Sequence, residues 1–515
     1  MSHEKQLTLR ASRVATGTVI SRILGYVRDM MVANLFGAGF VADAFYAAYR
    51  IPNLLRRLLG EGALSASFIP VFSEYLSKKT KKETQEFLNI VFTALTILLS
   101  VLTVLGIIFA PQIAKLIAYG FTSNPEKLAL TITLTKLMFP FLLFICLAAL
   151  LMGILNTLHK FFIPAIAPAS LSVSEVGYIL AIAPMLAQGD QIRGLALSVL
   201  VGGMFQFIVQ WPQLKKLKWT LKWKFKLNHP GLKKVAFLMV PAIIGLSVDQ
   251  INAFVNTICG SFLEQGSITA LYYSNRVMQM PLAIFGLAFA SVSLPAMSKA
   301  VSEKNIGSLK DTLNYSIRFI IFILTPAAVG LMVIGLPIIH LLFERGNFDA
   351  HASYLTNSAL FFYSLGLPAY AITKVLASAF FSQQDTKTPV KIAAIAMVIN
   401  VVLCIILMRI LGVGGLALAT ATSSIFNAIA LAVVLRKRIG ALGIEKIIQT
   451  TFKTLSASLI MGFAAYWIAF KVLSHMPYFG VFVAIFISAA VYFLLSHVFQ
   501  IHERKQLFSL FEKEN

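Results

Sequence analysis

The chain has 515 residues, of which 58% are hydrophobic and only 13% charged, with a formal net charge of +23 and a mean hydropathy of +0.80. That balance excludes a soluble multidomain protein, and runs such as Phe87 to Phe109 and Val481 to Leu495 lack the polar/apolar alternation of barrel strands. A helix needs about 20 apolar residues to cross the hydrocarbon core, and roughly 14 such stretches are present.

The excess positive charge reads as a topology signal rather than a nucleic-acid surface. Lysines crowd into the loops after the second span (Lys78, Lys79, Lys81, Lys82) and after the sixth (Lys215, Lys216, Lys218, Lys222, Lys224, Lys226, Lys233, Lys234), and Arg436, Lys437 and Arg438 follow the twelfth. With a cytoplasmic N-terminus every cluster falls on the cytoplasmic side, while the opposite loops, such as Gly37 to Ala42 and Gln188 to Ile192, are nearly free of Lys and Arg. Attraction to anionic headgroups accompanies this charge. No nucleic acid is expected as a partner.

Taken in chain order, the polar N-terminus shows no small-residue cleavage site after a plain apolar core, so a cleaved signal peptide is not expected. The first span then carries Arg22, Arg28 and Asp29. Arg22, Tyr26 and Asp29 share one helical face, and Arg28 points about a third of a turn away if the helix is regular. The second span sets Asp43, Arg50, Arg57 and Glu61 along one stripe, with Arg56 beside it and Pro52 predicting a kink or break near Arg56 and Arg57. An arginine at a helix centre costs roughly 2.5 to 3.5 kcal/mol by insertion scales, so residues so placed usually face a cavity and carry function. Guanidinium groups fit phosphate oxygens bidentately and keep their charge, which implies an anionic cargo. Asp29, Asp43 and Glu61 would hold the arginines when no cargo is bound. The competing reading is a set of interhelical salt bridges, with Arg56, Arg57 and Glu61 snorkelling to the cytoplasmic rim.

In the seventh span Asp249 is a lone intramembrane carboxylate, and the eighth carries Arg276. Asn400 in the eleventh and Thr420 in the twelfth would add neutral oxygens, so that Asp249, Asn400 and Thr420 form a candidate site for a monovalent cation or a proton. Interhelical hydrogen bonding is the preferred reading of Asn400 and Thr420. Cys146, Cys259 and Cys404 all lie in apolar runs and read as packing residues.

An internal repeat is visible when the chain is slid against itself. Pro168 matches Pro389, Gly194 to Leu197 (GLAL) matches Gly415 to Leu418, and Lys215-Lys216 matches Arg436-Lys437, all at one ungapped offset. Nearer the start of each half, Ala44 to Arg50 resembles Ala270 to Arg276, so Arg276 is the repeat partner of Arg50. Six spans per half return the chain to its starting side, which makes the repeats parallel. The expected fold is therefore an all-α polytopic membrane protein with about 14 transmembrane helices. Two parallel six-helix lobes surround a central cavity, and two C-terminal helices follow. The predicted organisation is an N-terminal lobe over 1–218, a basic cytoplasmic linker over 219–231, a C-terminal lobe over 232–438, and two extra helices with a cytoplasmic tail over 439–515. The extra pair either packs against the bundle or makes a lipid-facing groove.

No phosphate-loop, H-E-x-x-H or G-x-S-x-G motif is present, so neither nucleotide hydrolysis nor zinc or serine hydrolysis is supported and no enzyme is expected. No cofactor is expected. Transport would draw on Na+ or H+ coupling or on the membrane potential.

The runs SRILGYVRD (Ser21 to Asp29), FGAGFVADAF (Phe36 to Phe45) and IPNLLRRLLGEGALSASFIPVFSEY (Ile51 to Tyr75) closely resemble the MurJ (MviN) family of lipid II flippases, within the multidrug/oligosaccharidyl-lipid/polysaccharide exporter superfamily. Further echoes are FFIPAIAPASLS (Phe161 to Ser172), MVPAIIGLSVDQIN (Met239 to Asn252), SNRVMQMP (Ser274 to Pro281) and FFSQQDTKTPVKIA (Phe380 to Ala393). The resemblance implies translocation of lipid II, the undecaprenyl-pyrophosphate-linked peptidoglycan precursor, from the cytoplasmic to the periplasmic leaflet by alternating access. It also implies residence in the bacterial inner membrane with both termini cytoplasmic, membrane lipids as surroundings and function as a monomer. By the same resemblance Arg22, Arg28, Asp43, Arg56 and Arg276 match the family's cavity charges. The alternatives are a drug/cation antiporter of the same superfamily, against which the arginine excess speaks, and a membrane enzyme acting on polyprenyl-linked sugars.

Overall fold

The computed structural model describes residues 3–472 and 477–504, and among them every regular element is helical. Contacts divide the chain into two units, Met1–Gln265 and Gly266–Asn515. The first holds α1 (His3–Phe36), α2 (Phe40–Leu55), α3 (Ser65–Lys78), α4 (Lys81–Ile108), α5 (Pro125–Met138), α6 (Phe141–Thr157), α7 (Ala169–Ala181), α8 (Gln188–Ile208) and α9 (Pro230–Gly260). The second holds α10 (Ser267–Pro281), α11 (Leu287–Ser302), α12 (Ile306–Leu342), α13 (Ala350–Leu365), α14 (Leu367–Ser382), α15 (Lys387–Ile439), α16 (Ile444–Trp467) and α17 (Pro477–Val498). Among the described residues eight helical stretches, one of them α5 with α6, are long and apolar enough to cross a membrane, or nine if the pair α13 and α14, bent by 43°, is one span. The contact boundary falls after α9, whereas the repeat sets its boundary near residue 231, because α9 packs on α3 and on the turn region after α2.

The repeat reappears in the packing inside each unit. In the first, α2 packs on α5 and α4 on α6; in the second, α10 packs on α13 and α12 on α14. Ala44, Ala47 and Ala48 are almost completely buried on α2. Side chains this small let helix backbones approach closely, which is how helices associate where lipid removes the hydrophobic drive between them. Start signals are local: Thr80 and Glu83 form a reciprocal capping box on α4, and Asn124, Asn305 and Asp349 each accept a backbone N–H at the start of their helices.

At 53 residues, α15 would be about 80 Å long if straight. It is not straight. Gly412 breaks it with φ +54°, a left-handed value that glycine reaches without steric penalty. The two ends meet: Arg438 Nη1 lies 2.5 Å from Asp385 Oδ2, and its Nη2 donates to Thr388 Oγ1 at 2.9 Å. Asp385 also accepts from the backbone N–H and hydroxyl of Thr388, and these bonds, with Arg438, hold its carboxyl down to about 2. A carboxyl depressed on folding stabilises above its unfolded pKa near 4, and this contribution fades as pH falls towards 2.

The extra C-terminal helices are fastened to α12. Tyr492 Oη donates to the carbonyl of Phe322 at 2.6 Å, and Phe322, Ala457, Met461, Tyr492 and Ile501 form one apolar cluster. Beside it Arg318 Nη1 lies 2.7 Å from the carboxylate of Glu503, which is 1% exposed. Removing one partner of a buried pair costs about 3 kcal/mol or more. Glu503→Gln should therefore lower the apparent melting temperature of the detergent-purified protein by several degrees, and an unchanged melt would show that the pair does not fasten this helix hairpin.

Candidate functional site

One charged cluster of the first unit lies where α1 and α7 meet. Arg28 donates from Nε and Nη2 to Asp29 Oδ1 at 3.0 and 2.6 Å, and its Nη1 lies 3.5 Å from Glu175 Oε1 on α7. The side chains of Asp29 and Glu175 are 2% and 5% exposed, and that of Arg28 is 13% exposed. Regular-helix arithmetic sends Arg28 away from Asp29, but its three-carbon stem carries the guanidinium back across the adjacent position. Both residues thus belong to one ionic cluster. Tyr49 on α2, stacked on Phe45 at 6.2 Å, lies within electrostatic reach of Arg56, Arg28, Glu175 and Arg57. Arg22, nearly two turns earlier on α1, is exposed.

Along α2 the predicted stripe divides between two neighbours. Asp43, 1% exposed, takes the ammonium of Lys127 on α5 at 3.0 Å. Lys127 is itself buried and sits 4.2 Å from the centre of the Phe121 ring, so a cation–π contact shares its charge. Arg50 turns instead to α9, donating from Nε to Thr257 Oγ1 at 2.8 Å. After Pro52 the helix relaxes into a π-helical stretch, Arg56–Leu64, as the proline forecast. Bonding i to i+5 changes the angular step, so the three-and-four spacing that linked Arg57 and Glu61 to Asp43 does not hold beyond Leu55. Arg56 donates to Asn53 Oδ1 at 3.0 Å, and Arg57 is exposed. The Glu61 side chain lies outside the described residues.

Two members of this site escaped the sequence reading, Lys127 and Glu175. Glu175 satisfied the criterion that selected the first two spans, a lone charge in the apolar run SLSVSEVGYIL, and was detectable by it. Lys127 follows Asn124-Pro125, so it reads as part of a solvated helix start, and its burial is a tertiary fact.

In the second unit Arg276 lies on α10, half-buried, at the repeat counterpart of Arg50 on α2. Asn400, fully buried, donates to Thr420 Oγ1 at 3.4 Å across the α15 hairpin, and Thr420 in turn donates to the Leu416 carbonyl at 3.0 Å. Cys404 Sγ lies 3.7 Å from Asn400 Oδ1. This is the interhelical hydrogen bonding that Asn and Thr commonly provide in membranes. The Asp249 side chain lies outside the described residues. Among the described residues no group of three or more His, Cys, Asp or Glu side chains is arranged to hold a metal ion.

Repeated helix packing in the two units, helices apolar enough to span a membrane and an arginine–carboxylate cluster set among them define a multi-span helical membrane transporter. The comparisons narrow the class. The family model described as lipid II flippase MurJ matches residues 32–490, and the chain belongs to that family. It is 36% identical over 425 residues to the lipid II flippase MurJ of Burkholderia cenocepacia, covering 82% of each chain. It is 39% identical over 430 residues to the protein named "Probable lipid II flippase MurJ" in Vibrio cholerae, again covering 82% of each. A solved structure of lipid II flippase MurJ in an inward closed conformation superposes with a TM-score of 0.80 at 29% identity, covering 94% of this chain and 98% of that one. An inward-facing multidrug resistance MATE family transporter of the MOP superfamily shares the fold at a TM-score of 0.67 and 17% identity, covering 84% of this chain and 98% of that one.

Proposed function

We propose that this protein is a lipid II flippase, carrying the undecaprenyl-pyrophosphate-linked peptidoglycan precursor from the cytoplasmic to the periplasmic leaflet by alternating access. The observation that carries the assignment of cargo chemistry is the Arg28–Asp29–Glu175 cluster, an arginine held inside apolar helices by carboxylates in a chain of this family. Arg22, Arg28 and Arg276 are the anion clamp. A pyrophosphate offers the same paired oxygens that Asp29 and Glu175 offer to Arg28, with more charge, and so competes for the guanidinium. Glu175 acts as a positioning residue in this account: it aims Arg28 when no cargo is bound and yields it to phosphate. Arg50, Arg56 and Arg57, with Asp43 and Glu61, form the flanking polar path. The polyprenyl tail stays in lipid.

No nucleotide motif supplies energy, so coupling rests on Na+ or H+, with Asp249, Asn400 and Thr420 as the candidate ligands, or on membrane potential. The setting is the bacterial inner membrane with both termini cytoplasmic, and the working unit is a monomer. No catalytic step is assigned.

Native mass spectrometry with lipid II and with uncharged undecaprenol in parallel tests the clamp. The expected pattern is pyrophosphate-dependent binding that falls about tenfold or more in Arg28→Ala, in line with loss of a charge-assisted bidentate pair, and tightens in Glu175→Gln. Equal binding of both lipids by all three proteins would overturn the assignment.

A further inference from the structure

The basic segment between α8 and α9 does not hang free. Thr220 exchanges hydrogen bonds with the Gln85 side chain, Lys222 N–H donates to Asn89 Oδ1 at 3.1 Å, and Lys224 N–H donates to Thr93 Oγ1 at 2.9 Å. Every second residue of the segment thus meets every fourth residue of α4. Four helical residues rise about 6 Å, so the segment advances about 3 Å per residue, which is extended chain. It climbs α4 from its capped start towards the apolar part of the span, and then returns, for His229 lies beside Phe87 and Tyr75. The top of the climb is level with Thr93.

Its side chains alternate, in the order Leu221, Lys222, Trp223, Lys224, Phe225, Lys226, Leu227. The apolar side begins buried, with Trp219 against Phe72, and ends bare: Trp223, Phe225 and Leu227 are 60%, 73% and 67% exposed. Trp223 and Phe225 stack on each other at 6.4 Å, and Trp223 also meets Phe92. One turn further along α4 the exposed apolar surface continues through Ile97, Leu98 and Val101. On the other side of the ribbon the ammonium groups of Lys224 and Lys226 reach back to Glu86, near the start of α4, at 3.0 and 3.7 Å. Lys215, Lys216, Lys218 and Lys222, nearer the start of the climb, are exposed.

From this geometry we infer that residues 219–227 form an interfacial wedge, whose Trp223–Phe225–Leu227 tip enters the acyl boundary of the leaflet on that side while the exposed lysines engage anionic phospholipid headgroups. Three arguments choose a lipid surface as the occupant. The tip is continuous with the lipid-facing flank of α4, its stacked aromatics suit the boundary between headgroup and chain, and the uncompensated charge is positive and lies on the water side. The wedge fixes the start of α4 and the entry to α9 at one membrane depth. It does not depend on the identity of the cargo.

Site-directed spin labelling tests it, since the native cysteines are all buried. A label at Phe225→Cys and a reference label at the exposed Lys78→Cys are compared in vesicles of phosphatidylglycerol and of phosphatidylcholine, using oxygen and an aqueous nickel chelate as relaxants. The label at 225 is expected roughly 5 Å or more below the phosphates, favouring oxygen, and deeper in phosphatidylglycerol; the label at 78 should favour nickel. If 225 is as open to nickel as 78, the wedge is not in the membrane and the face serves another partner or none. Equal depth in both lipids would overturn the anionic part. As a check free of added cysteine, brominated acyl chains should quench tryptophan fluorescence more in the native protein than in Trp223→Phe, and equal quenching would contradict the inference.

Discussion

Arg28→Ala is expected to slow cargo movement about tenfold to a hundredfold while leaving the protein folded and in the membrane. The guanidinium is held by Asp29 on its own helix and joins α1 to α7 through Glu175, and each of these carboxylates is nearly inaccessible to water. A charge-assisted bidentate contact to a phosphate contributes about 1.5 to 3 kcal/mol. Its loss from the transported state slows turnover by about tenfold to a hundredfold, and the two released carboxylates repel the incoming phosphate and deepen the effect. Arg28→Lys keeps the charge but not the fork, so it should restore part of the rate. Glu175→Gln should move the other way in affinity, because Arg28 loses a competitor for phosphate. The informative readout is the split between apparent KM and maximal rate in a lipid II translocation assay: a purely structural role for Glu175 would lower the maximal rate and leave KM unchanged.

The second large effect is on stability. Lys127→Met withdraws an ammonium from Asp43 inside the α2–α5 contact, where both side chains are almost inaccessible to water. Breaking such a pair costs about 3 to 5 kcal/mol, whereas removing both charges together is often close to neutral. The single variants Lys127→Met and Asp43→Asn should therefore melt well below the native protein in detergent. The double variant should recover most of the loss, since a carbonyl amide and a thioether need no counter-ion. Additive losses in the double variant would show that the two groups act independently. Transport by the stable double variant then reports on whether Asp43 has a part in the polar path beyond holding α5.

Much of the fold was legible because its signals are local or periodic. Apolar length gave the helices, Pro168 with Pro389 and the two GLAL runs gave the repeat, and Pro52 forecast the departure from regular helix that becomes the π-helical stretch after Leu55. The Arg28 and Asp29 pair was visible as charge in an apolar run. The side-chain partners were not, because they depend on which helices meet: Asp43 finds Lys127 across the α2–α5 contact, and Arg50 finds Thr257 on α9. Helix arithmetic also fails where its geometry fails, so the step from Arg50 to Arg57 lost its meaning at the π-helical turn. The lysine-rich segment shows the same division. Its charge was legible as a run of lysines, but its docking on Gln85, Asn89 and Thr93 depends on an i, i+4, i+8 stripe of α4 that has no counterpart until the chain folds back.

The role proposed for the Arg28–Asp29–Glu175 cluster is to carry an anionic lipid-linked cargo across the bilayer. Purified protein in sealed vesicles loaded with labelled lipid II, with leaflet exposure read by an impermeant reagent under controlled voltage and sodium, tests it most directly. Lipid II should appear in the opposite leaflet only when the protein is present, and about tenfold or more slowly with Arg28→Ala at equal protein incorporation. Translocation by Arg28→Ala at the native rate, or none by the native protein under any gradient, would contradict it.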